Sequence, residues 1–129
     1  MTLAVCNKRI AAVKDTLYVI GGKWKMPIIV ALSNGPLRFK QLLRELGDIT
    51  PKILSKELKQ LELNEFVSRT VYPTSPVTVE YELTEYSSSF KGIIHEMSDW
   101  GIKHKKTIIE KSRSRRLELE EVEEGALSI

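Results

Sequence analysis

Apolar residues recur with helical spacing in the first part of the chain and with strand spacing in the middle. Ile10, Val13, Leu17 and Ile20 are separated by three, four and three positions, one face of an amphipathic helix. Gly21-Gly22 ends it, because glycine accepts the left-handed conformation common after a last turn. A second helix is expected from about Trp24 to Ser33, with Trp24, Ile28, Ala31 and Leu32 inward and Pro27 in its first turn. Asn34-Gly35-Pro36 is a turn. Phe39, Leu42, Leu43 and Leu46 mark a short third helix closed by Gly47. Thr50-Pro51 then opens a fourth, as an N-cap hydroxyl followed by proline at the first helical position. Leu54, Leu58 and Leu61 form its inner side, and Lys52, Ser55, Lys56 and Lys59 its outer side. Beyond Asn64 the period falls to two. Val67, Arg69 and Val71, then Val77, Val79, Tyr81 and Leu83, read as two strands joined by Pro73-Thr74-Ser75-Pro76, a hairpin with a proline-bounded tip. Thr84 is placed to cap a long final helix carrying Tyr86, Phe90, Ile93, Met97, Trp100 and Ile108, whose spacing through Trp100 resembles a heptad seam.

The chain has 129 residues, about one domain, with 42% hydrophobic and 29% charged residues, a globular balance. Its longest apolar run, Met26 to Leu32, is far too short to span a bilayer. Lys8, Arg9 and Lys14 interrupt any secretory signal at the N-terminus. The single cysteine, Cys6, permits no internal disulfide, which points to a reducing cytoplasm. The net charge of +3 is unevenly spread. Residues 23–59 hold eight basic side chains against three acidic ones, whereas residues 60–102 hold two against seven. A basic half beside an acidic one suits a polyanionic partner.

Two short helices joined by a glycine-containing turn, the second apolar behind and basic in front, make a helix-turn-helix. With the hairpin as wing and the long helix behind, the expected fold is mainly α with a small antiparallel β-hairpin: a dimeric winged helix-turn-helix. The basic side of the fourth helix fits a major groove of double-stranded DNA. Lys52, Lys56 and Lys59 would supply phosphate attraction, and Thr50, Lys52 and Ser55 would reach base edges. Pro51, Arg38 and Lys40 at the helix starts, and Thr74 and Ser75 at the hairpin tip, complete the expected DNA-binding set. The competing reading of the same face is a solvated surface, or a winged-helix module that binds an acidic protein instead.

Four stretches resemble the HxlR-type transcriptional regulators, a winged-helix branch near the MarR regulators. They are Ile20 to Lys25; Gly35 to Phe39; Ile49 to Leu61; and Val71-Tyr72-Pro73 with Val79 to Thr84. With the helix ending near Trp100-Gly101, the match covers roughly residues 8–104. The resemblance implies a dimeric bacterial DNA-binding regulator of nearby genes, in a family where several members respond to electrophiles or redox change through an N-terminal cysteine. Two positions depart from the family pattern. Ala11 stands where its cysteine usually lies, thirteen residues before the tryptophan equivalent to Trp24, while Cys6 lies eighteen before it. Thr78 stands where the wing commonly carries an arginine.

Cys6, beside Lys8 and Arg9, is thus a candidate redox or effector sensor, with inert packing as the alternative. Trp24 and Trp100 read first as core and second as the lining of a small-molecule effector pocket. His95 and His104 lack companions at metal-ligand spacing, and Glu80 with Glu82 lacks a histidine or nucleophile, so neither a metal site nor an enzyme is expected. No phosphate-cradling loop or other cofactor motif appears. The chain divides into a winged-helix domain, residues 1–104, that includes the dimerisation helices, and a charged helical extension or tail, residues 105–129. The full expectation is a homodimer, joined through its first and last helices, that prefers an inverted-repeat operator.

Overall fold

A computed structural model describes residues 2–127. They fall into two compact units, one through Lys91 and the other from Gly92 onward, which are described separately.

The first unit opens with α1 (Leu3–Ile20), capped by Thr2, whose hydroxyl accepts from the Val5 N–H at 3.3 Å. At its end Gly21 has φ −72° and is not left-handed; Gly22 takes that role with φ 95°. Glycine is required at Gly21 for a different reason: a Cβ there would lie 2.2 Å from the Leu17 carbonyl oxygen. α2 (Lys25–Leu32) follows, with Pro27 in its first turn as expected. β1 (Leu37–Arg38) leads directly into α3 (Phe39–Leu46). Gly47, at φ 77°, turns the chain towards α4 (Pro51–Leu63), which begins where the Thr50 hydroxyl accepts from the Ile53 N–H at 3.2 Å.

α4 ends in a Schellman arrangement. The Phe66 N–H reaches the Leu61 carbonyl at 2.9 Å and the Glu65 N–H reaches that of Glu62 at 3.1 Å. The left-handed position this motif needs is occupied by Glu65, φ 64°, where glycine is the usual residue. β2 (Val67–Tyr72) and β3 (Thr78–Leu83) then form the hairpin, in register from Val67 opposite Leu83 to Tyr72 opposite Thr78. The sheet has a third strand that alternation did not reveal: β1 pairs with β3, Leu37 opposite Tyr81 and Arg38 opposite Glu80, giving the order β1-β3-β2. Two residues are too few to show a period.

Thr84 ties the sheet to the exit of α4, its hydroxyl donating to the Glu65 carbonyl and its N–H to the Phe66 carbonyl at 3.1 Å. The same hydroxyl accepts from the Ser87 N–H at 3.3 Å, so its capping role is met. What it caps is a 3₁₀ turn over Tyr86–Phe90, with the α-helix proper starting at Lys91. Ser87, Ser88 and Ser89 each donate a hydroxyl to the carbonyl three residues back, the local competition that disfavours a regular α turn.

The core of this unit gathers Ile20, Ile28, Ile29, Leu32, Leu42, Ile49, Leu54, Leu58, Leu61, Phe66, Val67 and Phe90. Phe66 meets the rings of Tyr86 and Phe90 edge-on, at 5.5 and 5.8 Å between centroids. Ile10, Val13 and Leu17, the apolar stripe of α1, are exposed, as is Tyr86. Trp24 is half-buried.

The second unit is the body of α5 (Lys91–Leu127), which continues unbroken through the charged stretch beyond residue 104. Trp100 is 66% exposed and stacks on the His104 ring at 4.7 Å, so it is not a core residue of this chain. Among the described residues, no helix is long and apolar enough to cross a membrane.

Candidate nucleic-acid interface

α4 has two sharply different sides. Leu54, Leu58 and Leu61 are 0–1% exposed and anchor it, while Thr50, Pro51, Lys52, Ser55, Lys56 and Lys59 are all exposed. Lys52, Lys56 and Lys59 are four and three residues apart, so they share one face. Proline at the first helical position removes a donor that would have no partner, and the Thr50 oxygen occupies another. Among the described residues, the Thr50 hydroxyl proton meets no acceptor, which leaves it available to one outside the chain.

The central acid of α4, Glu57, is held away from this face. Its carboxylate accepts from Lys25 Nζ at 2.7 Å, with the two side chains 16% and 10% exposed. The pair has a double consequence. It links the first residue of α2 to the middle of α4, and it neutralises a negative charge that would otherwise oppose a phosphate. Lys25, counted with the basic half in the sequence, is therefore structural and lies outside the interface. Among the described residues, none of Arg38, Lys40, Lys52, Lys56 and Lys59 is ion-paired, so each retains its charge for an external anion.

Arg38 and Lys40 stand exposed at the start of α3, where the Arg38 N–H donates to Gln41 Oε1 at 2.8 Å. Arg44 is exposed one turn beyond Lys40, on the same side of α3, and joins the candidate cations although its isolated position gave no sequence signal. At the hairpin tip Thr74 and Ser75 are exposed. The Thr74 hydroxyl donates to the Pro76 carbonyl at 2.7 Å and lies 2.9 Å from Thr78 Oγ1, so it braces the tip and has no proton left for a phosphate. The Ser75–Pro76 peptide is cis. No cation sits between Pro73 and Val77. Arg69 is exposed on β2 opposite Tyr81, three residue pairs from the tip, about 10 Å down the strand. The helix carries the positive charge; the wing tip does not.

The HxlR-like helix-turn-helix family model matches residues 19–109. The chain belongs to this family. An HTH-type transcriptional regulator of Halalkalibacterium halodurans is 42% identical over 110 residues, covering 81% of this chain and 97% of its own. The HxlR-like fold extends to solved structures. The redox regulator HypR in its reduced form superposes with a TM-score of 0.72 at 36% identity, over 75% of this chain and 96% of that one. The reduced form of the transcriptional regulator YodB from Bacillus subtilis gives 0.63 at 38% identity, over 67% and 85%. This HxlR-like chain is therefore a winged helix-turn-helix transcriptional regulator, and α4 stands as the second helix of its helix-turn-helix.

The remaining candidates lie elsewhere. Cys6, in the first turns of α1, is exposed, which removes the reading of a packed thiol within this chain. Trp24 lies in the first unit and Trp100 in the second. A shallow hollow in the first unit is lined by Leu37, Gln41, Arg44 and Glu45, and another on α5 by residues from Ile102 to Arg113; neither tryptophan lines either hollow. Among the described residues, no cluster of three histidine, cysteine or carboxylate side chains could hold a metal.

Proposed function

We propose that this regulator acts as a homodimer that binds an inverted-repeat operator through α4 of each subunit and blocks transcription by occluding the promoter. The observation that carries this reading is the exposure of Thr50, Lys52, Ser55, Lys56 and Lys59 on one side of a helix whose opposite side is anchored by three fully buried leucines. Lysines at that spacing neutralise successive phosphates, while the short polar residues at the helix start reach base edges. A two-fold protein reads a two-fold site, hence the inverted repeat. Exposed apolar residues on α1 (Ile10, Val13, Leu17) and α5 (Ile93, Met97, Trp100) support subunit contact through those helices.

A mobility-shift titration with the DNA upstream of the protein's own gene tests this. Lys52→Ala/Lys56→Ala should weaken binding to specific and random duplex alike and flatten the salt dependence by roughly two phosphate contacts, about 1.8 in log–log slope. Ser55→Ala should act mainly on the specific site. Equal affinity of the unaltered protein for operator and scrambled duplex would favour an acidic protein partner and defeat the reading.

A second reading concerns Cys6. HypR is described as a redox regulator, and YodB has been treated with diamide, a thiol oxidant. The exposed Cys6 thiol makes a similar response of this chain a proposal, despite its displacement from the family's cysteine position. Cys6→Ser should abolish any effect of diamide on operator binding, and an unchanged effect removes the assignment.

A further inference from the structure

One exposed residue of α4 has no part in its charge pattern. Ile53 keeps 39% of its surface in water, in the first turn of the helix, between the exposed Lys52 and the buried Leu54. The other exposed apolar residues of α4 are Pro51, which opens the helix, and Leu63, which closes it. Thr50, Ile53 and Lys56 follow one another at three-residue spacing, one row along the helix surface. Successive positions are about 100° apart, which sets Ile53 about 60° from Lys56 and about 80° or more from each of Leu54, Leu58 and Leu61. The side chain therefore belongs to the lysine side more than to the core.

Its conformation is set before any ligand arrives. The Ile53 N–H donates to Thr50 Oγ1 at 3.2 Å, which fixes the first turn, and a β-branched side chain on a helix keeps one strongly preferred rotamer. An apolar surface held among Thr50, Lys52, Ser55 and Lys56 gains nothing from water, and the phosphates that the lysines attract offer it no partner. Base edges do. In the major groove the one apolar group is the C5 methyl of thymine, and apolar side chains meet it there. The N-terminal residues of the second helix of a helix-turn-helix lie closest to those edges.

We propose that Ile53 reads a thymine methyl in each half of the operator and is a specificity-determining residue of this regulator. The proposal rests on the operator reading above and deepens it, because it names a base that the selected DNA must carry under the first turn of each α4. Lys52, Lys56 and Lys59 attract any duplex, whereas the methyl contact exists at thymine alone.

Amplifying the DNA upstream of the protein's own gene with deoxyuridine triphosphate in place of thymidine triphosphate removes that methyl from every copied thymine and leaves base pairing unchanged. Mobility-shift titrations compare the two duplexes, and a scrambled version of each, with the unaltered chain, Ile53→Ala and Ile53→Val. Taking one methyl-sized group out of water favours binding by about fourfold, so the unaltered dimer should bind the uracil duplex roughly sixteenfold more weakly. Ile53→Ala should bind both duplexes alike, near the unaltered chain's affinity for the uracil form, and Ile53→Val should keep most of the difference. All three should bind scrambled duplex equally, since the lysines set that affinity. Replacing thymines singly should trace the loss to one position in each half-site.

Equal binding of the thymine and uracil duplexes, with the operator still preferred over scrambled DNA, would overturn the proposal and leave the operator reading standing. So would a methyl effect that persists in Ile53→Ala, or one spread over many thymines, as duplex shape would produce. Weaker binding of Ile53→Ala to scrambled duplex would show that Ile53 supports the helix, and would overturn it as well. No preference of the unaltered chain for operator over scrambled DNA would overturn both.

Discussion

Replacing Lys25 by methionine keeps most of the side-chain stem and removes the charge, leaving the Glu57 carboxylate in a site only 16% exposed. Two unit charges 4 Å apart attract by about 4 kcal/mol at an effective dielectric constant of 20, and this pair is closer, at 2.7 Å. Desolvation offsets much of that gain when both partners are present, so the pair adds little net stability. The asymmetry appears when one partner is lost. Stranding a buried charge costs about 3–5 kcal/mol, and the residual exposure of both groups argues for the low end, about 3 kcal/mol. For a chain of this length that is a fall in Tm of roughly 10 °C. Lys25→Met and Glu57→Met should each show this loss, whereas the double variant should stay within about 1 kcal/mol of the original, a coupling energy of several kcal/mol. Urea titration followed by tryptophan fluorescence suits the measurement, because Trp24 adjoins Lys25 and is half-buried. Protein concentration is held constant so that any change in subunit association does not enter the comparison. Single variants that lose under about 0.5 kcal/mol, or losses that simply add, would show that the contact does not anchor α4 and refute the reasoning.

Leu58→Ala, which empties a site 1% exposed behind the recognition face, should cost about 2–5 kcal/mol in the same titration and weaken DNA binding only through unfolding. Glu65→Gly relieves a left-handed residue at the exit of α4 and should raise stability by about 0.5–1 kcal/mol; a loss would mean that the Glu65 side chain contributes more than its backbone strain. Thr50→Ala removes the α4 cap and should cost about 1 kcal/mol, with Thr50→Ser restoring it. Gly21→Ala should destabilise strongly, since its Cβ would meet the Leu17 carbonyl, and a neutral result in thermal melts would contradict the geometry of that turn.

The recognition helix was the most legible element in the sequence because three independent signals agreed there. Thr50-Pro51 fixed its start, the Leu54-Leu58-Leu61 spacing fixed its inward side, and the lysines fixed its outward side. Elements governed by one signal were read less well. β1 is held by pairing with β3, a contact between residues more than forty positions apart that no local window contains. The exit of α4 depends on a glutamate in a conformation usually left to glycine, so composition gave no warning of it. Apolar spacing located faces without their occupants. The stripe on α1 read as one face of an amphipathic helix and that on α5 as a heptad seam, and Ile10, Val13, Leu17 and Trp100 are exposed in the single chain, although Trp100 read first as core. Periodicity reports that a face avoids water without naming what covers it.

The basic patch shows the same ambiguity in charge, and there the structure decides it. Lys25 and Lys56 are both lysines of the basic half, and counting cannot separate them. Lys25 begins a helix whose first turn faces α4, and Glu57 points back at it, so its charge is spent inside the protein. Lys56, one residue before Glu57, points the other way because adjacent helical positions are about 100° apart. One residue step therefore separates a structural ion pair from a solvent-exposed cation. Withdrawing the pair leaves the net charge of residues 23–59 unchanged, but it leaves the exposed lysines of α4 without an acid from the middle of their own helix beside them. Placing an acid on the exposed side would test the point without touching any lysine. Ser55→Glu leaves the Lys25–Glu57 pair intact while adding a negative charge to the exposed side of α4, and it should reduce operator affinity more than Ser55→Ala does.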